Sequence, residues 1–240
     1  MNIALIFAGG TGTRMNSKTK PKQFLELYGK AIIIHTLEVF EKHKEIDAIV
    51  VVCLESWIDY LRELVDDASL KKVKCIVPGG KSAQESQYNG LKAIEKMFDP
   101  DEKMVVLVHD GVSPLIDGET ISKNIESVKE HGSAITVTPA IETVVTVDEG
   151  VLLNDVLERS KCRMAKAPQS FYFNDILTAH ERAIKEGKMD FIDSASLMRH
   201  YGHTLHTVDG LPENIKITTP SDFYTFRAIC EAKENMQIFG

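Results

Sequence analysis

Near the start of the chain an apolar run, Ile3-Ala4-Leu5-Ile6-Phe7-Ala8, opens into Gly9-Gly10-Thr11-Gly12-Thr13-Arg14-Met15 and then Lys20-Pro21-Lys22-Gln23. These residue types in this order suit the binding of a phosphate. Glycines let backbone N–H groups turn inward on an anion, and a helix N-terminus following the loop would add partial positive charge at the same spot. Arg14 and Lys22 add full charges. Neither standard phosphate motif is present: the Gly-Lys-Ser/Thr ending of a P-loop is missing, and so is the third glycine of the dinucleotide fingerprint. The glycines alone would equally suit a tight strand-to-helix connection, but two nearby cations at the end of a buried strand favour an anion site.

A second reactive spot closes another apolar run, Val105-Val106-Leu107-Val108-His109-Asp110. In open α/β sheets the ligand crevice lies beyond the carboxyl ends of the strands, so Asp110 and the glycine loop can face one crevice. A carboxylate beside a triphosphate orients Mg²⁺, which keeps several waters and takes few protein oxygens. The plainer alternative is a turn cap leading to Pro114. His109 reads as scaffold, as one histidine at a strand end is more often hydrogen-bonded structure than catalyst. Further on, Lys216 lies between Ile215 and Ile217 on what reads as a short strand, where alternation turns it away from both isoleucines. By itself that is a solvated lysine.

The elements that must position these residues alternate between β-branched runs and amphipathic stretches, the pattern of a mostly parallel sheet covered by helices. Strands are predicted at 2–7, 48–54, 74–77, 104–109, 134–139 and 204–208, and helices at 31–42, 57–67, 83–97, 118–130, 173–186 and 221–235, the last capped by Ser221. The 240 residues fit one doubly wound α/β domain spanning 1–240, with no repeat or linker to mark a second. One segment, 141–163, breaks the rhythm: two β-rich runs around Asp148-Glu149-Gly150 form a hairpin with nothing of its own to pack on. It is expected to be an arm lying on a second subunit, or else an ordinary edge hairpin. A net charge of −7 argues against a nucleic-acid partner. The absence of a long apolar run argues against a membrane one. With no signal-peptide pattern at the start and four scattered cysteines, a cytoplasmic location is expected.

Taken in order, these motifs resemble the small cytidylyltransferases, the family that includes the 2-C-methyl-D-erythritol 4-phosphate and ribitol-5-phosphate enzymes. The resemblance is carried by Ala8-Gly9-Gly10-Thr11-Gly12-Thr13-Arg14-Met15, Pro21-Lys22-Gln23, Gly79-Gly80 with Ser86 and Asn89-Gly90, His109-Asp110 with Pro114, Thr143, Arg159, Pro168-Gln169 and Asn214-Ile215-Lys216-Ile217-Thr218. It implies a Rossmann-like nucleotidyltransferase that joins CTP to a polyol phosphate, releases pyrophosphate and uses Mg²⁺. It also implies that Phe7, Ala8, Gly9, Gly10, Thr11, Gly12, Gly80, Lys81, Ser86, Asp110 and Gly111 hold the nucleotide. Arg14, Lys22, Arg159 and Lys216 are then the catalytic cations. Asp110, Thr143, Arg159 and Lys216 contact the acceptor, Asp110 serves the metal, and the hairpin is an arm exchanged in a homodimer.

Several positions depart from the family pattern. Ala83 and Ser113 stand where arginines are usual, Ala167 precedes Pro168-Gln169 in place of threonine, and Glu142 replaces an aspartate. Val145 stands where the methylerythritol enzymes carry lysine and resembles the ribitol enzymes instead, so the expected acceptor is ribitol 5-phosphate. The alternatives are the methylerythritol activity and a catalytically silent nucleotide binder. A dinucleotide-dependent oxidoreductase is disfavoured by the missing glycine.

Overall fold

A computed structural model describes residues 1–10 and 20–239. β1 (Asn2–Ala8) leads, across residues not described, to a single 3-10 turn over Lys22–Phe24 and a small ribbon of β2 (Glu26–Leu27) and β3 (Lys30–Ala31). There follow α1 (Ile32–Lys42), β4 (Ala48–Cys53), α2 (Ile58–Asp67), β5 (Val73–Pro78), α3 (Ala83–Met97), β6 (Val105–Asp110), α4 (Gly118–His131) and β7 (Ser133–Pro139). The chain continues through β8 (Val145–Asp148), β9 (Leu152–Val156), β10 (Arg163–Tyr172), α5 (Phe173–Lys185), α6 (Ser194–His200), β11 (Thr207–Asp209) and α7 (Pro220–Phe239).

Seven strands form one sheet in the order β11-β7-β10-β6-β1-β4-β5. It is parallel except at β10, which runs antiparallel to both β6 and β7. Every residue of β4 is buried, as expected for a strand covered on both faces. α1, α2 and α4 cover one face, and α3, α5 and α6 the other. β1 passes the chain to β4 on one side and is joined by β6 on the other, which makes its carboxyl end a topological switch point. There the register pairs Phe7 with Asp110 and Ala8 with Cys53, so three strands end level.

A smaller apolar cluster, Leu27, Ile32, Val112, Leu115, Ile217 and Phe226, seats α7 and the segment that carries Lys216. α7 begins one residue earlier than predicted, because the cap is Thr219 and not Ser221. Its hydroxyl accepts the Asp222 N–H at 3.3 Å while the Asp222 carboxylate accepts the Thr219 and Thr218 N–H groups at 2.7 and 2.8 Å. That is a capping box with proline at the first helical position. Lys216 is not on a strand: the segment is extended but its ladder reduces to the Ile217 N–H donating to the Val112 carbonyl at 2.8 Å. The β2–β3 ribbon, β10 and α6 have no counterpart among the predicted elements.

The hairpin at 141–163 is present as β8 and β9, paired only with each other and turned at Glu149 and Gly150, which have φ of 47° and 80°. Every residue of both strands is exposed, Leu152 and Leu153 by more than 60%. No helix among the described residues is long and apolar enough to cross a membrane.

The strand ends meet tightly at Gly111, whose N–H donates to the Phe7 carbonyl at 2.7 Å; a Cβ there would lie 2.8 Å from that same oxygen. Gly111→Ala is therefore expected to cost about 1–3 kcal/mol of stability, measured as a lower urea midpoint at unchanged m-value.

Candidate active site

At the switch point a cleft of about 730 Å³ opens, lined by the ends of β1 and β6, the start of α3, the middle of β10, the residues leading into α6, and the Lys216 segment. Phe7, Ala8, Gly9, Gly10, Lys22, Gly80, Lys81, Ser86, Asp110 and Lys216 all face it.

One wall is set by hydrogen bonds that bring separate segments to the end of β1. The buried Gln23 amide donates to the Ala8 carbonyl at 2.5 Å and so pins the 3-10 turn beside the strand end. Its neighbour Lys22 is thereby held over the cleft, where its Nζ donates to the Ile217 carbonyl at 3.0 Å. On the other side of β1, the Gly79 N–H donates to Cys53 at 2.8 Å and the Gly80 N–H to the Ser86 hydroxyl at 3.0 Å. That hydroxyl donates in turn to the Ser82 carbonyl at 2.8 Å, and Ser82 caps α3 by accepting the Glu85 N–H. Ser86 thus fastens the Gly79-Gly80 turn onto the helix start, with one lone pair left for a ligand. A side chain at Gly80 would overlap Glu85, so the close approach requires glycine.

The opposite wall carries an ion pair, Lys216 Nζ to Asp110 Oδ1 at 2.8 Å. Besides the Lys22 bond to Ile217, the Lys216 segment is held by the Ile217 N–H donating to Val112 and by the Asn214 amide donating to the Ala167 carbonyl at 3.2 Å. Gln169 donates to Asp193 at 2.8 Å and accepts the Ala195 N–H at 2.8 Å, which joins β10 to the start of α6. From α3, Gln84 donates to the Lys188 carbonyl and accepts the Phe191 N–H, closing the loop between α5 and α6 onto the start of α3. Ala83 and Ser113 also line the cleft, without a side-chain charge.

His109 sits beneath this wall as scaffold. It is 1% exposed, its Nε2–H donates to the Ser113 carbonyl at 3.0 Å, and burial pushes its pKa down to about 4, so it stays neutral near pH 7.

Not every expected residue reaches the cleft. Gly111 does not line it: its N–H is spent on Phe7 and its carbonyl accepts the Thr36 hydroxyl at 3.0 Å, so it shapes the strand ends and contacts no ligand space. Thr143 and Arg159 are exposed at the foot of the hairpin, away from their own chain's cleft, with Arg159 donating to the Ile141 carbonyl at 3.3 Å. Thr11, Gly12 and Arg14 lie outside the described residues. Conversely, Lys166, Gln84 and Asp193 face the cleft and were not singled out from the sequence. Lys166 directly precedes Ala167-Pro168-Gln169, the one nearby signal that could have drawn attention to it.

Among the described residues the cleft holds Lys22, Lys81, Lys166 and Lys216 against Asp110 and Asp193, a local positive excess on a chain of net charge −7. Such a cleft attracts a polyanion. No group of three or more acidic, histidine or cysteine side chains that could hold a metal occurs among the described residues. Asp110, with one oxygen taken by Lys216, has the other left. That donor set fits a Mg²⁺ carried mainly by phosphate oxygens and water, and not a cation caged by protein.

Three comparisons bear on these features. Residues 2–232 match the family model described as IspD, 2-C-methyl-D-erythritol 4-phosphate cytidylyltransferase. A ribitol-5-phosphate cytidylyltransferase from Vibrio parahaemolyticus is 58% identical over 240 residues, covering 100% of both chains. One from Streptococcus agalactiae serotype V is 52% identical, covering 100% of this chain and 99% of its own. The crystal structure of 4-diphosphocytidyl-2C-methyl-D-erythritol synthase from Anaerococcus prevotii superposes with a TM-score of 0.82 at 26% identity, covering 96% of each.

Below about pH 6.5 the unfolded chain protonates His109 while the folded chain does not until about pH 4. The unfolded state then binds more protons, so this contribution to stability is complete above pH 6.5 and is lost as pH falls toward 4. His109→Gln keeps the donor to Ser113 and cannot titrate. Its urea-derived stability is expected to fall less steeply across that window, by up to about 1.4 kcal/mol per pH unit.

Proposed function

The chain belongs to the 2-C-methyl-D-erythritol 4-phosphate cytidylyltransferase family, and within it we propose that it transfers the cytidylyl group of CTP to ribitol 5-phosphate, giving CDP-ribitol and pyrophosphate. The observation that carries the choice of acceptor is full-length identity of 58% and 52% to proteins named for ribitol 5-phosphate, against 37% to a 2-C-methyl-D-erythritol 4-phosphate cytidylyltransferase from Clostridium botulinum. The apolar Val145 on the hairpin agrees with it.

In the proposed reaction a phosphate oxygen of the acceptor attacks the α-phosphorus of CTP in line, the bond to the β-phosphate oxygen breaks, and pyrophosphate leaves. The attacking phosphate is already ionised near pH 7, so the protein needs no general base; its task is to position the reactants and neutralise charge. The backbone of Phe7, Ala8, Gly9 and Gly10, with Thr11 and Gly12, is assigned the triphosphate. Gly80, Lys81 and Ser86 are assigned the cytidine, and Arg14 and Lys22 the charge that grows on the α-phosphate and the leaving group. Asp110 would hold a Mg²⁺ together with the phosphates, the metal supplying charge neutralisation on the triphosphate. Asp110 also contacts the acceptor, and Lys216 binds the acceptor phosphate. In a homodimer Thr143 and Arg159 would come from the partner's arm. Their exposed position at the foot of the hairpin, outside the lining of their own cleft, and the uncovered Val147, Leu152, Leu153 and Val156 along the ribbon support that reading.

A catalytically silent nucleotide binder, suggested by the uncharged Ala83 and Ser113, is less well supported. Cations that suit both reactants are retained at Lys22 and Lys216, and a binder of nucleotide alone would need only the first set.

Given equal concentrations of ribitol 5-phosphate and 2-C-methyl-D-erythritol 4-phosphate with CTP, the enzyme should form CDP-ribitol in large excess, as resolved by mass spectrometry. A majority of the methylerythritol product would reverse the assignment of acceptor. Binding of CTP with no turnover of either would favour the silent reading.

Lys22→Ala and Arg159→Ala should each reduce turnover roughly 10²- to 10³-fold. Mixing the two variants should restore about a quarter of wild-type activity, because half the dimers are then mixed and one of the two sites in each is intact. Mixed dimers that form without recovery would rule out a shared site.

A further inference from the structure

Lys166 lies on β10 next to Ala167, part-buried and facing the cleft. Its Nζ donates to the Pro212 carbonyl at 3.2 Å and the Asn214 carbonyl at 3.1 Å. Both partners are neutral, and an ammonium has three protons to give. No carboxylate among the described residues comes within ion-pair distance. Burial lowers its pKa, with only a through-space pull from Glu213 in the other direction. Holding a partly desolvated charge without a counter-ion is unfavourable, and a ligand anion removes that cost.

The charge on this wall identifies the anion. Lys216 is already balanced by Asp110 at 2.8 Å, so on the β10 side of the acceptor end Lys166 is the cation without a carboxylate among the described residues of its own chain. A phosphate monoester brings between one and two negative charges at pH 7. Lys166 is tied through Asn214 to the segment that carries Lys216 and approaches it from β10, while Lys22 reaches the same segment at Ile217 from the β1 side and Lys81 stands at the start of α3. We infer that Lys166 binds the phosphate of the acceptor, completing with Lys216 a two-lysine site; this rests on the proposed acceptor being a polyol phosphate. The same carbonyl contacts orient the ammonium in advance, so little ordering is required when the substrate arrives.

Steady-state kinetics of Lys166→Gln and Lys166→Arg test this. Glutamine can still donate to one carbonyl but carries no charge, while arginine keeps the charge. The glutamine variant should raise KM for ribitol 5-phosphate roughly tenfold to a hundredfold and leave KM for CTP nearly unchanged, with most of the loss recovered by arginine. An unchanged acceptor KM, a loss confined to kcat and melting temperature, or an equal rise in KM for CTP would each overturn the assignment. If the wild-type protein makes no CDP-ribitol, the proposed acceptor fails separately, and Lys166 is then judged by inorganic phosphate added to protein saturated with a non-hydrolysable CTP analogue. Thermal stabilisation by phosphate that is lost in the glutamine variant and kept in the arginine variant upholds the anion site; equal stabilisation of wild type and glutamine variant refutes it.

Discussion

The geometry of the cleft depends on one backbone contact, the Gly111 N–H donated to the Phe7 carbonyl where β6 and β1 end together. Strands on either side of a switch point diverge into different connections, and only a residue without a Cβ lets the chain leave β6 while still touching β1. With the two ends level, Asp110 stands beside Phe7 and the glycine turn. The loops from β4, β10 and the Lys216 segment then fit around a floor whose shape is already set. Burial of β1 and β4 on both faces makes that floor rigid.

Charge is handled in an equally local way. The chain as a whole is acidic, yet four lysines line the cleft where three strands end. The Lys216–Asp110 pair is about half exposed on the lysine side and 29% on the aspartate side, which places it among contacts that contribute little to folding. Its role is positional: it holds the lysine against the carboxylate on the cleft wall. His109 plays the opposite part. Buried and neutral, it braces the turn to Ser113 without adding a charge that would perturb Asp110 next to it.

Much of this was legible in the sequence because the signals were local and physical. The glycine run after β1, the carboxylate closing β6, and the starts of α3 at Ala83 and α4 at Gly118 each need only a few adjacent residues to be recognised. β10 was not legible because its first half, Arg163 to Ala165, is exposed and its second half is buried, so no single alternation runs through it. α6 has seven residues, too few for a helical period to show. The Lys216 segment imitates a strand because Ile215 and Ile217 alternate around it, but no neighbouring strand is there to complete a ladder. Lys166 escaped notice because its meaning lies in the absence of a carboxylate near it, which only three-dimensional packing reveals.

The loop between α5 and α6 forms part of the cleft wall and is held by amides: Gln84 to Lys188 and Phe191, Gln87 to Ser194, and Gln169 to Asp193 and Ala195. Most of these bonds join neutral groups, and such bonds are little affected by dissolved ions, whereas attraction between exposed lysines and a polyanion weakens within a Debye length of about 8 Å at physiological ionic strength. Ionic strength therefore acts on the two functions of the cleft separately. Added salt slows the capture of substrates from solution while the enclosure that receives them keeps its shape.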